Sequence, residues 1–343
     1  MTTSTPTVMR RDRTQFTEEF TRQFVTHLNE LRRESNPGDP AIRAQDIWGQ
    51  LQHLPAMVDM HIWTVEDDTG IHAHARTQML NLDTNRHVAE LDVMVAPAWR
   101  HRGLGRDLLR QAAQFVQTRG RTLLLTRTVD RVPAGEAFAV RAGFERGQVN
   151  RESRLMLTDI PDGLLDRWTA RPDDDYSIEF WLNGTPDAQL TGYATLLNVM
   201  NSAPRDDLNV EDTHITAKEV QEMEQLSRAG GRTLLTAVVR APNGELVGLN
   251  ELSWREARPE IVAQGNTGVL PEHRGHGLGR WLKGANVKEL ARHNPGAREI
   301  RTQNAESNSP MLKINTDMGF RPFIAATVWQ GDVHTVLARL KKE

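Results

Sequence analysis

The chain writes one short glycine turn twice, 174 residues apart. Arg100-His101-Arg102-Gly103-Leu104-Gly105-Arg106 and Arg274-Gly275-His276-Gly277-Leu278-Gly279-Arg280 both read Arg-x-x-Gly-x-Gly-Arg. Each follows a β-like run, Leu91-Asp92-Val93-Met94-Val95 and Gly268-Val269-Leu270. Each opens a stretch with helical spacing of apolar residues. In the first these are Leu104, Leu108, Leu109, Ala112, Phe115 and Val116; in the second, Leu278, Trp281, Leu282, Ala285 and Leu290. Half of the 343 residues nearly equals the repeat offset. Two copies of one mixed α/β fold, each large enough to bury its own core, is the simplest organisation.

A strand-to-helix turn of this kind is an anion site. The first N–H groups of a helix have no internal partner, and the helix dipole places partial positive charge there. Phosphates bind such ends, and glycine lets the backbone approach them closely. A P-loop is excluded, because neither copy is followed by Lys-Ser or Lys-Thr. A dinucleotide fingerprint is excluded too, since its third glycine would fall on Arg280. The bland alternative is a turn that binds nothing; two copies in matched surroundings favour a phosphorylated ligand.

With these residues the sequence resembles the GNAT acyltransferase superfamily, whose pyrophosphate loop reads Gln/Arg-x-x-Gly-x-Gly/Ala. Gly143-Phe144 and Gly319-Phe320 stand where the family closes a helix beside the CoA arm. Met200-Asn201-Ser202-Ala203-Pro204 and the stretch Thr302 to Met311 look like the tandem GNAT proteins common in actinobacteria, and the resemblance implies that Asn304 in that stretch contacts the acyl-CoA. The resemblance implies an α/β (α+β) fold of two tandem domains, at 1–165 and 176–343 with a linker at 166–175. Each would be a mostly antiparallel central sheet flanked by helices, with a central V-shaped cleft for acetyl-CoA or another short acyl-CoA. The loop residues 100–106 and 274–280 would hold its pyrophosphate. The family's CoA-contacting asparagine falls on Asn308 in the second half and on Val132 in the first. Its tyrosine acid falls on Asn315 and Ala139, so the usual acid is absent from both halves. A thiolate leaving group of pKa about 8.5 can take its proton from water.

The resemblance therefore points to the second half for chemistry. Its candidate catalytic residues are Glu251, a base on the strand before the turn, and Asn315, in the acid's place. Backbone N–H groups near Val269 and Leu270 would hold the oxyanion, with Val93 and Val95 as their first-half counterparts. The acceptor is expected to be the primary amine of a small metabolite or antibiotic-like molecule. The acids of the loop Pro204 to Asp212 would wall its pocket and attract a cation. Two other readings stay open: a non-catalytic acyl-CoA sensor and a protein-lysine acetyltransferase.

Composition narrows the field further. There is no cysteine, so no disulfide and no thiolate site. The net charge of -3 argues against general nucleic-acid binding. The N-terminus is polar and no apolar run is long enough for a membrane span, so a cytoplasmic monomer or homodimer is expected. His72 and His74 share a strand face, but no third ligand lies at sensible spacing, so no metal is expected. Helices are expected over 14–33, 42–53, 133–142, 187–199, 215–228 and 308–317. The chain is expected to close with two strands.

Overall fold

The computed structural model describes residues 6–172 and 174–341; position 173 of the expected linker lies outside the described residues. The first half runs β1 (Thr7–Asp12), α1 (Glu18–Ser35), α2 (Ala44–Gln52), β2 (Val58–Asp67), β3 (Gly70–Leu80), β4 (Val88–Val95), α3 (Leu104–Thr118), β5 (Leu123–Val129), α4 (Pro133–Arg141) and β6 (Glu145–Met156). A short helix, α5 (Leu164–Thr169), runs into the start of the expected linker. The second half runs β7 (Ser177–Leu182), α6 (Leu190–Leu197), α7 (Ala217–Ala229), β8 (Arg232–Arg240), β9 (Leu246–Arg255), β10 (Arg258–Val269), α8 (Leu278–His293), β11 (Glu299–Ala305), α9 (Ser309–Met318) and β12 (Arg321–Asp332), then α10 (Val333–Lys341). The second expected closing strand is thus a helix. Val333, Val336, Leu337 and Leu340 recur at helical spacing and are buried.

Local chemistry sets the element ends. Thr17 caps α1, its hydroxyl accepting from Phe20 N–H at 3.1 Å. Thr216 and Glu219 close a capping box on α7. Asp67 accepts from Thr69 N–H at 2.8 Å and makes the β2–β3 turn.

Two compact units form, and each is discontinuous in sequence. The first gathers the described residues up to Val149, Arg205–Asp212 and those from Ala325 onward; the second gathers Asn150–Pro204 and Thr213–Ile324. These units therefore cross the 1–165 and 176–343 division. Strand order is β1-β2-β3-β4-β5-β12 in the first and β6-β11-β10-β9-β8-β7 in the second. The final strand of each sequence half completes the other unit. Antiparallel pairing dominates, while β4 with β5 and β10 with β11 pair in parallel. In the first unit Trp329 donates to Thr128 Oγ1 at 2.8 Å and shares a core with Leu108, Leu109, Val116 and Leu124. Among the described residues no helix is long and apolar enough to cross a membrane.

Candidate active site

In each half the parallel pair separates partway along its length. β4 pairs with β5 from Val88 to Glu90, and β10 pairs with β11 only from Ile261 to Ala263. Beyond these points the strands diverge, and each splay opens toward its glycine turn. The Gln264 amide donates to Thr302 Oγ1 at 3.0 Å where the second splay begins.

The two turns share one backbone. Gly103 and Gly277 are the N-cap residues of α3 and α8, both left-handed, at φ 79° and 71°. Two residues earlier, Gly275 at φ 85° and His101 at φ 62° are left-handed as well. A histidine held there is strained, which marks a conformation the turn requires. The first intrahelical bonds are Asp107 N–H to Gly103 and Trp281 N–H to Gly277, at 3.0 and 3.1 Å. The N–H groups of Leu104, Gly105 and Arg106, and of Leu278, Gly279 and Arg280, precede those bonds and have no helical acceptor. Their side chains serve packing: Leu278 is core, Leu104 packs against core, and Gly105 and Gly279 admit Phe138 and Ile314 at contact distance.

The turn arginines are engaged with protein groups. Arg100 and Arg274 each donate Nε to the carbonyl ending the preceding strand, Val95 or Val269, at 3.1 Å. Arg100 also pairs with Glu34, and Arg274 donates to Ser202 Oγ at 2.8 Å. Arg106 donates to Leu340 O at 2.7 Å, and Arg280 to Asp317 at 3.0 Å. Arg102 lies over the Trp99 ring. Over the second turn, Arg171 donates to His276 O at 2.7 Å and lies on the Trp281 ring. With the arginines so engaged, the donors that remain at each turn are the backbone amides of the first helical residues.

One oxyanion candidate is corrected. Leu270 N–H already donates to Val247 O at 2.9 Å. Ala96 N–H, its first-half counterpart, donates to His72 O at 2.9 Å. Strand N–H groups alternate in direction, so those of Val269, Val95 and Val93 point the other way, toward the splays.

Glu251 stands at an irregularity that the first half lacks. The β9–β10 register shifts between Gln264 and Thr267, whereas the β3–β4 register runs unbroken. Bulges of this kind re-aim groups beside active sites. Asn266 N–H in the bulge donates to Glu251 Oε2 at 2.9 Å, and the Tyr193 hydroxyl donates to Oε1 at 2.6 Å. Gly265 makes room, because a Cβ there would meet Oε2 at 2.7 Å. Burial pushes the Glu251 carboxyl up, and the bonds from Tyr193 and Asn266 pull it partly back. Burial and the neighbouring carboxylate hold the Tyr193 phenol well above its ordinary range. Tyr193 was not foreseen; 58 residues separate it from its partner. Ala73 pairs with Val95 as Gly248 pairs with Val269. The first-half counterpart of Glu251 is therefore Arg76, bound to Asp92 at 2.5 Å.

Asn315 is buried on α9. It accepts from Lys283 Nζ at 2.7 Å and donates to Asn304 Oδ1 on β11 at 2.8 Å. Asn308 caps α9, accepting from Met311 N–H at 3.3 Å. Val199 and Met200 pack against Gly268, the residue before Val269. The expected acceptor-pocket loop is a second correction. Residues 205–212 belong to the first unit, where Asp207 N–H donates to Gly147 O at 3.0 Å, and Asn85 exchanges bonds with Glu211 at 2.7 and 2.8 Å. Asp212 pairs with Arg205. The carboxylates of Glu211 and Asp212 fasten the loop. His74 bonds His27 at 3.0 Å, and Asp67 holds His72 at 2.8 Å.

The acetyltransferase (GNAT) family profile matches residues 22–144. Mycothiol acetyltransferases from Nocardia farcinica and Thermobifida fusca are each 26% identical, over 69% and 71% of this chain and 72% of their own length. A tandem GNAT protein from the clavulanic acid biosynthesis pathway superposes with a TM-score of 0.79 at 26% identity, covering 95% of this chain and 99% of that one. A GCN5-related N-acetyltransferase from Sphaerobacter thermophilus shares the fold, with a TM-score of 0.68 at 14% identity over 95% of this chain and 96% of its own.

Proposed function

We propose, from the match of residues 22–144 to the acetyltransferase (GNAT) family and the likeness of the whole chain to a tandem GNAT protein, that the second half acetylates a small primary amine from acetyl-CoA. Glu251 carries the reading. A carboxylate raised by burial, fixed by two donors and set at a bulge beside the splay suits a general base near neutral pH. The thioester lies along the splay, its pyrophosphate on the N–H groups of Leu278, Gly279 and Arg280. The amine nitrogen attacks the thioester carbonyl as its proton passes to Glu251, directly or through one water. Val269 N–H stabilises the oxyanion. The C–S bond then breaks, and CoA leaves as a thiolate protonated by solvent.

The first half keeps a ligand-ready turn but places Arg76 and Ala139 where the second half has Glu251 and Asn315. It is read as an acyl-CoA-binding domain without turnover. Similarity to mycothiol acetyltransferases supports a small-molecule acceptor over a protein lysine. The test is release of free CoA thiol against a panel of small amines and a lysine peptide. The parent chain should release thiol with a small amine, and Glu251→Gln should lower kcat about 10²–10⁴-fold with acetyl-CoA binding intact. Binding without thiol release by the parent would establish the sensor reading instead.

A further inference from the structure

We infer that Lys283 is a positioning residue for acyl-CoA in the second half: through Asn315 it fixes the Asn304 amide so that its NH₂ is offered to the ligand. The inference rests on the acyl-CoA reading of that half. Lys283 has no exposed surface, and its Nζ donates to Asn315 Oδ1 and lies 5.5 Å from the Phe320 ring centroid. Among the described residues no carboxylate pairs with it. Lysine is rarely buried without a counter-ion, because desolvation opposes the charge. Here burial alone pushes the amine down to about 7.

The other copy of the fold shows that this position does not need a lysine. Six residues past the left-handed glycine, the first half has Leu109, 1% exposed, and the counterpart of Asn315 is Ala139, also buried. The second half has put a polar chain where the first packs apolar side chains.

That chain has a direction: Lys283 Nζ donates to Asn315 Oδ1, and Asn315 Nδ2 donates to Asn304 Oδ1. Asn304 must then accept through Oδ1, which leaves its Nδ2 as the terminal donor. Among the described residues this Nδ2 has no acceptor. Asn304 is half-buried on β11, three residues past Arg301, where pairing with β10 has ended. The arm of an acyl-CoA carries amide carbonyls that accept such a bond.

The test is calorimetric titration of acetyl-CoA, reading the site that Gly277→Glu removes. Lys283→Met should weaken that site about tenfold, the loss of one hydrogen bond, without lowering the melting temperature. Asn304→Ala should weaken it equally, and the double variant no further, because the two residues act as one chain. Binding by Lys283→Met equal to that of the parent, or losses that multiply in the double variant, overturns the inference. Should Lys283→Met melt far below the parent, unchanged affinity in Asn304→Ala overturns it alone. A parent chain with no second-half site overturns the acyl-CoA reading of that half and this inference together.

Discussion

Glu251 accepts one hydrogen bond from a phenol and one from a strand amide, and both work against the burial that raises its pKa. Tyr193→Phe removes the phenol's share, so the carboxyl should rise further. The acid limb of the rate profile then moves to higher pH. At a fixed pH on that limb the rate should fall roughly tenfold, the effect of one lost charge-assisted bond. Lys283 makes a second residue-scale prediction. The native amine holds its proton to about 7, the unfolded one to 10.5. Between those values the unfolded chain binds more protons, so stability rises with pH. Lys283→Met should melt higher than the parent at and below neutral pH, by about 1–3 kcal/mol once the orphaned Asn315 oxygen is counted. The gain should shrink as pH approaches 10, which thermal melts across pH will show. Glu251 was named from its place on the strand before the turn, and Asn315 from its offset to Gly319. Tyr193 and Lys283 were not: one depends on how α6 packs, and the other sits between Leu282 and Gly284 with no local sign of its burial.

At the scale of elements, the two turns carry the argument, and they were legible because hydrophobic period changes across each. Gly277→Glu should abolish one acyl-CoA site and Gly103→Glu the other, each by at least about 100-fold in calorimetric titration. Charge and bulk would occupy the phosphate position, and left-handed φ adds about 1–2 kcal/mol of strain for any L side chain. Gly277→Ala measures that strain alone and should retain binding. The loop 205–212 misled because its acids read as bait for a cation, while their partners Asn85 and Arg205 were not apparent. The β10 bulge gave no sequence sign beyond Gly265, a glycine within a strand. The last helix did give a sign, at Val333, Val336, Leu337 and Leu340, which the expectation of two closing strands overrode.

At the scale of the whole molecule, the repeat made two similar folds legible but not which strand completes which. β5 and β11 are equivalent strands, so local pattern cannot choose their partners. Fragment 1–165 lacks Trp329, Val333, Val336, Leu337 and Leu340, all buried in the first unit's core. At about 1.5–3 kcal/mol per side chain, that loss rivals a whole domain's stability. Expressed alone, the fragment should be insoluble or bind a hydrophobic dye without a cooperative melt, and co-expressed 166–343 should restore the transition. A ribosome adding roughly 5–20 residues per second needs on the order of ten to forty seconds to go from Val149 to the end of β12. Throughout that time the half made first has an open flank, so this chain cannot follow the usual habit of finishing its N-terminal domain before the next one emerges: that flank closes only when β12 arrives.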